Sequence, residues 1–154
     1  MKSVAVVVAA ALALGLSPAL AQQSPHTMVN AGDVQWKDAP PILPGAQVSV
    51  LYGDPSKENV FVMRLKFPAN YMVPPHTHPV DEIVTVISGV FNLGMGREFD
   101  AAQTNPYTAG ALIAMPPETP HFVYTDQETV VQSSTRGPWA LKFINPDDKG
   151  QVTQ

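Results

Sequence analysis

The sequence predicts an all-β domain, a sandwich or barrel of antiparallel sheet. Three observations carry that expectation. After Gly45 the chain is a succession of short apolar runs rich in Val, Ile, Phe and Thr, ended by Gly, Pro, Asn or Asp. Apart from an apolar run near the N-terminus, no stretch keeps a 3.6-residue apolar period over three turns. Seven or eight such runs sit at close spacing in a length that makes one domain.

The elements follow in order. The chain opens with Lys2, an apolar run of 13 residues from Val4 to Leu16, and then SPALAQQ. A basic start, a short apolar stretch and small residues at Ala19 and Ala21 predict a secretory signal peptide over 1–21, cleaved after Ala21. The run is too short to anchor in a bilayer, which needs roughly 20 residues. Cleavage leaves 133 of the 154 residues, one domain able to bury a core. Eight basic residues then face 13 acidic ones, a net charge of about −5. Basic runs are absent, which argues against nucleic acid and an anionic membrane surface as partners. There is no cysteine, hence no disulfide and no lipid attachment, and stability must come from packing. The expected product is free of the membrane after cleavage and is periplasmic or secreted.

Residues 22–45 read as a polar, proline-spiked arm. In WKDAPPILPG, Pro40, Pro41 and Pro44 block a helix and Trp36 is a candidate anchor. His26, at the flexible start, is expected to be solvated. The barrel domain follows over 46–154. Its first strands are AQVSVLYG and NVFVMRLKF, joined by a turn at GDPSKEN. Arg64 lies in the second of them and either snorkels on the outer face or holds an anionic substrate. The outer face is preferred because Lys66 shares its parity and both can be wet together. EIVTVISGVFNLGMG, ALIAMPPETP, HFVYTDQ, ETVVQSST and PWALKFINP supply the remaining strands. REFDAAQTNPY holds at most one short helical turn.

The chemistry concentrates in 70–89, NYMVPPHTHPVDEIVTVISG, which places His76, His78 and Glu82 in one extended segment. Alternation along a strand puts all three on one face, followed there by Val84, Val86 and Ser88. A second stretch, GALIAMPPETPHFVYT, opens a strand with His121, and Val123 and Thr125 share its face. Long-range pairing in a small barrel would bring His121 beside the other three. The pocket behind them is then largely apolar, with hydroxyls at Ser88 and Thr125. Tyr71, Met72, Met95, Met115, Trp36 and Trp139 are candidates for the barrel mouth, each as readily core. Neutral imidazole and carboxylate suit divalent first-row ions, and thiolate sites are excluded. Glu82 sharpens this, because a buried carboxylate beside three histidines is costly without a cation.

These residues resemble the two motifs of the cupins, a family of small double-sheet β-barrels. The first, G-x5-H-x-H-x(3,4)-E-x6-G, is matched from Asn70 through His76, His78 and Glu82 to Gly89. The second, G-x5-P-x-G-x2-H-x3-N, is matched from Gly110 through Pro116, Glu118 and His121 to Thr125. Asn70, Glu118 and Thr125 depart from the pattern. Asn70 still suits a left-handed turn, whereas Glu118 is expected to impose a different turn. The resemblance implies a cupin double-stranded β-helix, or jelly-roll barrel, in a single domain. It implies a metal site of His76, His78, Glu82 and His121, with iron, manganese, nickel or copper favoured and zinc open. Oxidoreductase chemistry of the dioxygenase type on a small molecule is the first implied class, with Glu82 as a candidate catalytic base. Metal-dependent isomerase or lyase chemistry, and small-molecule binding without turnover, are the alternatives. Cupins of this type often pair as homodimers.

Overall fold

The structure is a computed structural model and describes residues 26–153. The expected signal segment 1–21 lies outside the described residues. Among those described, no helix is long and apolar enough to cross a membrane.

In chain order the strands are β1 (Lys37–Asp38), β2 (Gln47–Tyr52), β3 (Val60–Phe67) and β4 (Tyr71–Thr77). Next come β5 (Glu82–Ser88), β6 (Val90–Met95), β7 (Asn105–Thr108) and β8 (Leu112–Met115). The last are β9 (His121–Thr125), β10 (Thr129–Arg136), β11 (Lys142–Phe143) and β12 (Gln151–Val152). One antiparallel sheet has the order β1-β2-β3-β10-β5-β8. The other runs β11-β4-β9-β6-β7, with β12 also paired to β4. The two form the jelly-roll barrel expected of the sequence. The one helical turn expected in REFDAAQTNPY is a 3-10 turn over Ala101–Gln103, begun by Asp100, whose side chain accepts the Ala102 N–H.

Period-2 alternation decides what faces the core. On β3, Phe61, Met63 and Phe67 are buried while Arg64 and Lys66 point outward. Arg64 donates through Nε to Gln132 on the neighbouring strand at 3.1 Å, and the Lys66 ammonium lies 4.4 Å from the Trp36 ring centre. The preferred outward placement of Arg64 therefore holds, and Trp36 anchors the arm from outside. The end of the arm enters the interior: Leu43 is 2% exposed, and Tyr71 donates to the Pro44 carbonyl at 3.0 Å.

One expectation needs correction. His76, His78 and Glu82 do not share a strand. β4 ends at Thr77, the chain turns through 78–81, and Glu82 begins β5 in the opposite sheet. Pro79 in this turn has no N–H to give to a ladder, so β4 cannot run on through it. The site is thus assembled across the mouth of the barrel, between the two sheets.

Candidate metal centre

The histidines owe their positions to pairing. His76 lies opposite His121 on β9, and Val73 lies opposite Val123. Three steps along β4 match two along β9, so β4 bulges by one residue between Val73 and His76. The Pro74-Pro75 pair sits in that bulge. Without the bulge, Val73 and His76 would face opposite ways; with it, both line the same cavity. His78 follows β4 by one residue, where its carbonyl accepts the Glu118 N–H at 2.8 Å.

His76, His78 and His121 are 3%, 3% and 1% exposed, and their nearest ligand nitrogens all lie within 4.8 Å of one another. Each ring is held from behind by a main-chain carbonyl. Nδ1 of His76 meets Pro74 O at 2.7 Å, that of His78 meets Ala140 O at 2.7 Å, and that of His121 meets Thr119 O at 2.9 Å. A carbonyl only accepts, so Nδ1 carries the proton of each neutral ring and Nε2 keeps a free lone pair. Glu82 is where these meet. Its Oε1 lies 3.3 Å from His78 Nε2 and its Oε2 lies 3.0 Å from His121 Nε2. Yet His78 Nε2 and Glu82 Oε2 are both buried without a hydrogen-bond partner among the described residues. Lone pairs facing lone pairs at this range repel unless a proton or a cation lies among them, and the donor set fits a divalent ion.

The titration behaviour describes the site without a cation. Burial, reinforced by His121 and His78, pushes the His76 imidazole down to about 3, so this ring stays neutral. Burial would raise the Glu82 carboxyl, but the contacts with His121 and His78 outweigh it and hold the group well below the usual carboxylate range. Burial likewise works to lower His121, and the Glu82 carboxylate overcomes it and raises that imidazole.

Other expectations divide. Val84 and Val86 line the interior at 2% and 1% exposure, whereas Ser88 is exposed. The pairing of β10 with β5 slips between Val130 and Val131, which lets the end of β5 leave the wall. Thr125 is fully buried, but its hydroxyl donates to Pro68 O at 2.9 Å and lines no part of this cavity. Of the mouth candidates, Trp139 belongs here: its ring stacks on His78 with centroids 4.9 Å apart. Tyr71 is core, and Met95, 56% exposed, is on the surface. Glu118 does not change its turn. It takes the left-handed conformation at φ 58°, like Asn70 at φ 57°, and its carboxylate reaches Thr77 and Lys142. The sequence reading missed Ser133, although the alternation Thr129, Val131, Ser133, Thr135 along β10 places it inside.

A small β-barrel with three inward imidazoles and a carboxylate at its mouth belongs to a recognisable class. The chain is a member of the cupin family, whose sequence model matches residues 54–136. No curated protein matches it in sequence. Among solved structures it is similar to the polyketide cyclase RemF from Streptomyces resistomycificus, at 20% identity and TM-score 0.61, covering 78% of this chain and 86% of that one. It is also similar to a candidate acetylacetone dioxygenase from Methylibium petroleiphilum PM1, at 19% identity and TM-score 0.63, covering 85% and 89%. An RmlC-like cupin from Shewanella frigidimarina NCIMB 400 shares 16% identity at TM-score 0.55, covering 82% and 97%. At these identities the likeness establishes the fold alone.

Proposed function

We propose that the chain is an exported enzyme that holds a divalent transition ion through His76, His78, Glu82 and His121. Its substrate in this reading is a small chelating organic molecule, and its chemistry is dioxygenase-like. The observation that carries the reading is the set of three Nδ1–carbonyl contacts, which leaves the Nε2 lone pairs to converge beside one carboxylate. Iron, manganese, nickel or copper would supply Lewis acidity and a redox couple, and zinc only the former. The chain's own part is to hold that charge in an apolar pocket with Glu82 ionised beside it. Glu82 is the candidate proton acceptor if it leaves the ion during turnover. A Lewis-acid reading, isomerase or lyase, has support in the same donor set, and a cyclase shares the barrel. Export rests on the pattern of 1–21, with 22–45 as the arm and 46–154 as the barrel domain.

The test is elemental analysis of protein from the periplasm, then oxygen uptake with catechols, β-diketones and flavonols by native chain and Glu82→Gln. The expected result is stoichiometric metal and an uptake that Glu82→Gln abolishes. Natively loaded protein without metal would overturn the reading. Full turnover with zinc in place of a redox ion would move it to the Lewis-acid class.

A further inference from the structure

The cavity lined by His76, His78 and Glu82 is bordered by two further polar side chains whose donors have no hydrogen-bond partner among the described residues. Ser133, 3% exposed, sits on β10 between Met63 and Val84, and its hydroxyl has no hydrogen-bond partner. Trp139 stacks on His78, and its indole Nε1 is also buried and unpartnered. Both residues line this cavity, whose other walls are apolar. Two of the fully buried hydroxyls nearby are paired: Thr125 donates to the Pro68 carbonyl at 2.9 Å, and Thr129 donates to the Val90 carbonyl at 3.0 Å. An unpaired buried donor is destabilising, and alanine at 133 would remove that cost with almost the same packing. Serine there makes sense if something outside the chain completes it.

We propose that Ser133 Oγ and Trp139 Nε1 donate hydrogen bonds to a compact oxyanion bound at the metal centre. The proposal rests on the metal reading above and assigns the ligand's other contacts. An indole N–H only donates, so its partner is an acceptor. A divalent ion beside a single carboxylate leaves net positive charge in an apolar cavity, and this selects an anion. The cavity measures about 30 Å³. Space that small admits only a carboxylate or enolate with few carbons attached as the buried end of the ligand.

The test uses Co²⁺-loaded full chain, titrated with sodium acetate and, separately, with imidazole, read by visible absorption of the cobalt. Ser133→Ala and Trp139→Phe, the latter keeping a ring on His78, should each weaken acetate about ten-fold. Imidazole has no acceptor left once its lone pair is on the ion, and its affinity should not change in either variant. The unfolding midpoint of Ser133→Ala should equal or exceed that of the native chain. Equal acetate affinity in all three proteins, each with cobalt bound, overturns the subsite and leaves the metal reading standing. So does a Ser133→Ala that is less stable and weakens acetate and imidazole alike, because that behaviour marks a structural hydroxyl. If the native chain binds no Co²⁺, both readings fall. Should Trp139→Phe not fold, Ser133→Ala decides alone.

Discussion

A neutral imidazole has one proton for two nitrogens, so a carbonyl that accepts from Nδ1 also decides that Nε2 is left for a cation. Pro74, Thr119 and Ala140 make that choice for His76, His121 and His78. Two of these carbonyls lie two residues before their histidine, so local chain geometry fixes them; Ala140 comes from far along the chain. The same contacts set a pH dependence. His121 is raised above its ordinary value by Glu82, so below that raised value the cation-free site holds a proton that a metal must displace. His76, pushed down to about 3, carries none near neutrality. Metal affinity should therefore climb with pH by up to about ten-fold per unit while His121 is protonated, then level off. Competition against a chromophoric chelator between about pH 6 and 8 measures this, and a flat profile would contradict the pairing. For the cation-free chain the two partners set opposite edges. The stability from depressed Glu82 is present above the ordinary carboxylate value and lost as pH falls through its folded value. That from raised His121 is present below the ordinary imidazole value and lost as pH rises through its folded value.

The corner between β5 and β6 shows how a motif glycine serves an element. Gly89 has φ 78°, and a Cβ on it would run into the Glu128 carbonyl and Thr129. Thr129 is fully buried, and its hydroxyl accepts the Val90 N–H at 3.2 Å, locking β10 to the start of β6. Gly89→Ala combines a left-handed backbone with overpacking and should cost about 2–4 kcal/mol in urea unfolding. A loss below about 1 kcal/mol would mean the corner relaxes freely. Asn70 and Glu118 adopt the same conformation without glycine, and asparagine tolerates it best. Strand existence was legible in the sequence because the signal is local, and so was the outward face of β3 from the shared parity of Arg64 and Lys66. The same alternation along β10, from Thr129 to Thr135, went unread. Sheet membership was not legible. Nothing local says that Glu82 crosses to the sheet opposite His76, that β4 gains a residue before His76, or that Ser88 leaves the wall, since each follows from long-range pairing. The three histidines still converge, with Glu82 beside two of them, because these residues were picked out by type and spacing and not by strand membership.

The two sheets are held together along most of the barrel by apolar contact among residues such as Phe67, Tyr71, Val84, Phe91 and Val131. The mouth is different. There His76 and His121 come from one sheet and Glu82 from the other, and their meeting point is polar. A cation bound by all of them would tie the sheets where hydrophobic packing gives way to charge, and it would bind the folded chain only. With free ion at about 100 times its Kd, mass action adds about 2.7 kcal/mol. In a domain of this size that raises the unfolding midpoint on the order of 10 °C. Metal-loaded and chelator-treated chain should therefore differ by that much in a thermal melt. Glu82→Gln should lose most of the difference, because its carboxamide gives the second sheet a far weaker hold on the ion. A melt that ignores both the chelator and Glu82→Gln would mean the mouth is stable without a cation, and that the orphaned Nε2 and carboxylate oxygen find their partner in water instead.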